Sequence, residues 1–330
     1  MKILILRFSS IGDIVLTTPV VRCLKKKYPD AEIHYATKKS FHLILKHNTY
    51  LTQVYLLEDS LMHLVRELKK EKFDYVIDLH NNQRTFLIKL LLGVKSFSFN
   101  KINFKKWLMV NLKINRLPDK HIVDRYLETV ESLGVENDGE GLDYFLSKED
   151  NVDLKTLPTE FHNNYIGWVI GAKHNTKKIP EDKIFKTIDQ FNYPVVILGG
   201  KEDEEAGNQI IKSSGANRQM RVFNACGKFS LNQSASLVQQ AKFIITNDTG
   251  LMHIAAAFKK PIISIWGSTI PEFGMSPYGT RNLKLETANL SCRPCSKLGY
   301  DACPKGHFKC MNLINENSIV DEIEKEILSG

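Results

Sequence analysis

Two short segments far apart in the chain carry residue types suited to group transfer. The first is Ser9-Ser10-Ile11-Gly12-Asp13, directly after the apolar run 3–6. Gly12 lets a turn adopt conformations closed to other residues and lets a ligand approach the backbone. The Asp13 carboxylate beside it can do one of two things: cap a helix beginning at Ile14, or take a proton from an attacking hydroxyl as a general base. The second segment is Asn247-Asp248-Thr249-Gly250-Leu251-Met252-His253, after the apolar run 243–246. Asp248, Thr249 and Gly250 provide a cap, a hydroxyl and a close-approach glycine at a helix start. Unpaired N–H groups there favour phosphate. His253, within the first turn, can donate to a phosphate or sugar oxygen or can simply be a satisfied helical histidine.

Two further loops supply matching chemistry. Residues 171–180 concentrate Lys173, His174, Lys177 and Lys178, cations placed where a departing diphosphate would need them. Leu198-Gly199-Gly200-Lys201-Glu202 sets a carboxylate after an apolar run, in the logic of a ribose-binding acid though not at its usual spacing. Neither half contains G-x-G-x-x-G, which argues against a nicotinamide cofactor.

Each segment follows a strand-like run and precedes a helix-like one. Ligands of open α/β sheets collect outside the carboxyl ends of strands, so two such mouths predict two α/β domains facing across a cleft. Strand-like runs fall at 2–7, 32–37, 54–57, 74–79 and 95–99, then at 165–170, 195–198, 221–224, 243–246 and 262–266. Helical periodicity fills the intervals, as at 14–27, 61–70, 121–133, 180–191, 204–213, 231–240 and 318–328. The polar stretch 136–163, with Gly139, Gly141 and Pro158, marks the boundary. The expected domains are 1–150 and 151–330, each right-handed and doubly wound.

Composition narrows the class. At 330 residues with 43% apolar content the chain has the length for two cored domains. No apolar run is long enough to span a bilayer, and the run after Lys2 is too short for a signal-peptide core. A cytoplasmic setting is therefore expected. The net charge of +8 is uneven: residues 1–126 carry 23 Lys+Arg against 11 Asp+Glu, and the remainder 22 against 26. A basic first half suits an anionic partner. Within it, residues 101–110 (Lys101-Ile102-Asn103-Phe104-Lys105-Lys106-Trp107-Leu108-Met109-Val110) mix cations with aromatics. That is either a surface for anionic lipid or a helix whose Trp107, Leu108 and Val110 face the core. Cys292, Cys295, Cys303 and Cys310, with His307 among them, open with zinc-knuckle spacing but do not continue it. Structural zinc, free thiols and a redox-labile loop all remain open.

The opening run 3–13 with Thr17-Thr18-Pro19, Asp78-Leu79-His80-Asn81 with Arg84, and His121 with Asp124-Arg125-Tyr126 resemble glycosyltransferase family 9, the ADP-heptose:lipopolysaccharide heptosyltransferases. The stretches 198–208 and 247–257 are similar to the second-heptose type within it. One departure stands out: Lys177-Lys178-Ile179-Pro180 replaces the usual Lys-x-Trp-Pro. The resemblance implies a GT-B fold with the acceptor on the N-terminal domain and the nucleotide sugar on the C-terminal one. It also implies inverting transfer without a catalytic metal. By position, Asp13 is the base and Lys177 the cation on the diphosphate. Glu202 takes the ribose, and Asp248, Thr249, Gly250 and His253 hold donor sugar and phosphates. Ser10, Gly12 and Arg84 lie on the acceptor side. The implied partners are an ADP-sugar and a lipid A/inner-core oligosaccharide at the cytoplasmic face of the inner membrane, not nucleic acid. A noncatalytic nucleotide-sugar or lipid-surface binding module and a nucleotide-sugar epimerase-type enzyme are the competing readings.

Overall fold

Unbroken apolar runs become strands buried on both faces, the pattern that parallel sheets require. The computed structural model describes residues 1–215 and 219–328, and the chain divides into two compact units. Unit one comprises Met1–Ile102 and Asp119–Phe145; unit two comprises Asn103–Pro118 and everything from Leu146 on. Residues 103–118, which the sequence assigns to the first domain, thus group with the second.

The first unit holds a parallel sheet of five strands: β1 (Lys2–Leu6), β2 (Glu32–Lys38), β3 (Gln53–Leu57), β4 (Tyr75–Asp78) and β5 (Lys95–Ser98). Their order is β3-β2-β1-β4-β5. Ile3 of β1 stands in register with Ile33 on one side and Tyr75 on the other. The chain winds outward from β1 to β3, then crosses back to β4, so the order reverses between β1 and β4. Leu4, Leu6, Ala36, Leu64, Val65, Leu68, Val76 and Ile88 form its core.

The second unit repeats the plan with six strands: β6 (Ile166–Val169), β7 (Val195–Leu198), β8 (Val222–Asn224), β9 (Ile244–Asn247), β10 (Ile262–Trp266) and β11 (Asn282–Glu286). Their order is β11-β10-β9-β6-β7-β8, again parallel, and here the reversal lies between β6 and β9. Both units are therefore doubly wound, as expected.

Three local expectations change. Residues 14–27 form not one helix but two, Ile11–Val15 and Thr18–Lys27. Pro19 lacks an N–H and cannot continue a preceding helix, but fits the first turn of a new one. Residues 121–133 begin as an α-helix, Ile122–Leu127, and tighten to 3-10 geometry over Glu128–Leu133 before Gly134 turns left-handed at φ 67°. Strand β11 is an addition; it is the sheet edge, half-exposed, with Leu283 and Leu285 packed on the core.

The connector leaving the first unit is held by one buried guanidinium. Arg22, 1% exposed, donates to both Asp138 carboxylate oxygens and to Gly141 O at 2.8 Å, and also pairs with Asp143. Replacing Arg22 with Ala leaves Asp143 without its cation and Asp138 with only the more exposed Lys26, 2.9 Å away, and is expected to cost about 3 kcal/mol of stability. Urea denaturation measures it; a loss below about 1 kcal/mol would mean that water compensates the carboxylates.

Candidate active site

The order reversal in each sheet splays the flanking loops apart, and ligands settle there. In the first unit the loops after β1 and β4 meet at this point. The helix begins at Ile11 and not at Ile14, with Ser10 as its N-cap residue, so Asp13 is its third residue and not its cap. Its carboxylate accepts from the Ser10 N–H at 3.1 Å and the Ser10 hydroxyl at 2.8 Å. The other oxygen lies 2.6 Å from the Arg7 guanidinium. Asp13 thus has a structural role at the helix start, yet its side chain stays 22% exposed.

Arg7 is the partner that sequence reasoning did not single out. It stands just past β1, 10% exposed in its side chain, and donates to Ser9 O at 2.7 Å and Leu79 O at 2.6 Å. Its guanidinium lies 5.8 Å from the ring centre of Tyr126. Burial alone would push the Asp13 carboxyl up, but Arg7 and Ser10 overcome this and hold it below the ordinary carboxylate value. From β4, Asp78 accepts the N–H groups of His80 and Asn81 at 3.1 and 2.7 Å, shaping the turn. Burial, with Arg7 and Lys101 adding to it, pushes the His80 imidazole down to about 4, so it is neutral at physiological pH. Asn82 caps the helix Gln83–Leu92, whose first turn brings Arg84 5.8 Å from the Phe8 ring centre. Ser10, Gly12, Asp13 and Arg84 therefore belong to one loop cluster, with Gly12 buried under it.

In the second unit the loops after β6 and β9 meet. Lys177 Nζ lies 2.6 Å from Asp248 Oδ2, which also accepts from the Thr269 hydroxyl at 2.9 Å. Thr249 precedes the helix Gly250–Ala257 as its N-cap residue, and His253 is buried on that helix, 2% exposed. Asn247 ties the ends of the strands together: its amide donates to Ile170 O at 3.1 Å and accepts from Ile179 N at 3.3 Å. Ile179, standing where the resembling family has tryptophan, is buried in the hydrophobic core.

Lys178 serves differently from Lys177. It pairs with Asp203 at 2.6 Å, and Asp203, 2% exposed, also accepts the Gly200 N–H at 3.0 Å. A Cβ on Gly171 would lie 2.4 Å from this carboxylate, so glycine is needed for the two loops to touch. Glu202, next to it, remains exposed. Thr269 lies outside every segment singled out in the sequence; Asn247 and Asp203 lie inside two of them but carry no assigned role there.

The cysteine-rich loop braces the lysine loop. The Thr176 hydroxyl accepts from Tyr300 N at 2.8 Å, and Thr176 N donates to Tyr300 O at 3.0 Å. Ser268 adds a hydroxyl bond to Thr176 at 3.0 Å. Among the described residues no three His, Cys, Asp or Glu side chains gather to hold a metal ion. Cys310 is 4% exposed within the core beside Met311 and Ile314, and Cys295 Sγ lies against Cys292 O at 3.2 Å. Burial pushes the Cys310 thiol up to about 11, so as a free thiol it stays protonated at neutral pH.

Residues 61–302 match the family model of glycosyltransferase family 9 (heptosyltransferase). Lipopolysaccharide heptosyltransferase 2 of Escherichia coli (strain K12) is 24% identical over 299 residues, 83% of this chain and 84% of that protein. The crystal structure of the family 9 glycosyl transferase from Veillonella parvula superposes with a TM-score of 0.82 at 22% identity, covering 100% of this chain and 98% of that one. The structure of E. coli ADP-heptose lps heptosyltransferase II gives 0.75 at 22% identity, covering 100% and 99%.

Proposed function

The chain belongs to glycosyltransferase family 9, and from that premise we propose that it is an inverting transferase moving a heptose, or a similar sugar, from an ADP-sugar to a lipopolysaccharide inner-core acceptor. The single observation that carries this reading is the setting of Asp13: paired with Arg7, which favours the ionised carboxylate, yet still partly accessible at the mouth of the first sheet. A carboxylate placed so can accept the proton of an acceptor hydroxyl while that oxygen bonds to the anomeric carbon. The bond from that carbon to the diphosphate breaks, and ADP departs. Because an ionised Asp13 is a weak base, the proton moves late, when the hydroxyl has become acidic.

On the donor side, charge accumulates on the diphosphate. Lys177 and the amide groups at the start of the helix Gly250–Ala257 meet it. An ammonium has three donors, so the Asp248 bond leaves capacity for a phosphate oxygen. Thr249, Gly250 and His253 are assigned to sugar and phosphates, and exposed Glu202 to the ribose hydroxyls. With positive charge supplied this way, no step is assigned to a metal ion. The acceptor is lipid-linked in this reading and is met at the inner membrane. No helix among the described residues is long and apolar enough to cross a membrane.

Thermal melting with nucleotide sugars tests the donor assignment. ADP-sugars are expected to raise the melting temperature, since a ligand bound at a hundred times its Kd adds about 2.7 kcal/mol. Equal shifts with UDP- and GDP-sugars would overturn the adenine nucleotide. Hydrolysis or isomerisation of donor without any acceptor would favour the epimerase reading over transfer.

A further inference from the structure

Residues 103–118 form a separate feature of the second unit. The helix Asn103–Trp107 runs into a wider π-type turn, Leu108–Leu112, that ends at Lys113 with φ 58°. One side is anchored. Lys106 Nζ lies 5.9 Å from the Phe273 ring centre, and Lys113 Nζ donates to Pro294 O at 2.7 Å. The other side is bare. Phe104 is 71% exposed and Trp107 51%, followed by exposed Leu112 and Ile114. Phe104 and Trp107, three residues apart, share a helix face; their rings stack 6.3 Å apart at 9°. The alternative that Trp107 faces the core is thus excluded.

Charge points to the occupant of this face. From Lys101 to Pro118 the chain has five cations (Lys101, Lys105, Lys106, Lys113, Arg116) and no carboxylate. Stacking two copies of the face would oppose cation to cation, whereas anionic lipid complements it. Aromatic rings settle at headgroup level, and each Lys or Arg near an anionic leaflet gains about 1 kcal/mol. Exposed apolar groups ringed by cations are the pattern of an interfacial helix.

We propose that this segment docks the protein on an anionic bilayer, with Phe104, Trp107 and Leu112 entering the headgroup layer and Lys105 and Arg116 contacting lipid phosphates. Its purpose, though not its chemistry, rests on the lipid-linked acceptor proposed above.

Trp107 reports the test. The other two tryptophans, Trp168 and Trp266, are fully buried, so an emission shift on adding vesicles arises at Trp107. The full chain is expected to shift to the blue and to co-sediment with phosphatidylcholine vesicles containing phosphatidylglycerol, but not with phosphatidylcholine alone. The double variant Phe104→Ser/Leu112→Ser, which keeps the reporter, should lose at least about tenfold in binding. Its melting temperature and its transfer to a soluble, delipidated acceptor should stay as in the wild type. Unchanged emission, or vesicle binding by the double variant equal to wild type, would overturn docking. A dimer abolished by the same variant, without vesicle binding, would overturn it in favour of self-association. Wild-type failure on the soluble acceptor would instead count against the proposed reaction and leave the vesicle result standing.

Discussion

Asp13→Asn is expected to lower turnover by about 10²–10⁴-fold while donor binding persists, the usual worth of a positioned base. Asparagine keeps the shape and can still accept from Ser10, but it cannot take a proton. It also leaves the buried Arg7 guanidinium with only its carbonyl partners, Ser9 O and Leu79 O, so stability should fall as well. Turnover per folded molecule, with the folded fraction measured by circular dichroism, separates the two effects. If that quantity is unchanged, Asp13 serves only the helix start. The pH profile gives a second reading. Because Arg7 holds Asp13 below the ordinary value of ~3.9, the base stays ionised throughout the neutral and mildly acidic range. The acid limb of kcat/KM from this group should lie below that value. In Arg7→Met burial is unopposed by the guanidinium, so the carboxyl rises and the limb must move to higher pH. A limb that stays put would detach Asp13 from proton transfer.

Lys177→Ala is expected to reduce kcat by about 10²–10³-fold, because the charge it meets is greatest in the transition state. The substitution also strips Asp248 of its cation, and a bare carboxylate at the helix start would repel the diphosphate. Lys177→Ala/Asp248→Asn removes that repulsion and should recover donor affinity without recovering kcat. An unchanged kcat at saturating donor in Lys177→Ala would take this residue out of the mechanism. Lys178 is a poor substitute in that event, since its ammonium is engaged by buried Asp203.

What could be read without coordinates follows from where the physics is local. Buried parallel strands announce themselves as apolar runs, so Val195–Leu198 and Ile262–Trp266 match the expected bounds. The edge strand Asn282–Glu286 alternates apolar and polar residues, a period-two signal that was there but lay between turns. The loops bearing Asp13 and Asp248 were legible because a strand, a glycine turn and a helix follow in sequence. Their partners were not. Thr269 reaches Asp248 only once the ends of β9 and β10 are juxtaposed, Arg7 reaches Asp13 only because the loop after β1 folds back on itself, and Asp203 acts from a buried position that its neighbour Glu202 does not share. The four cysteines illustrate the reverse case. Their spacing hints at a metal, and Cys310 lies close enough to the other three for their charges to act on it, yet among the described residues no three side chains gather to hold an ion.

Residues 103–118 also bear on how such enzymes can be recombined. The backbone passes between the two units three times, after residues 102, 118 and 145. A chimera joined once near residue 146, taking a new C-terminal half from a relative, would inherit foreign residues at 273 and 294 beneath the native Lys106 and Lys113. Both anchoring contacts would then be mismatched in one cut. Grafts that carry 103–118 along with 146–330 keep each contact with its own partner. The second unit of this chain is discontinuous, and crossovers that respect its two pieces are those that should yield folded hybrids.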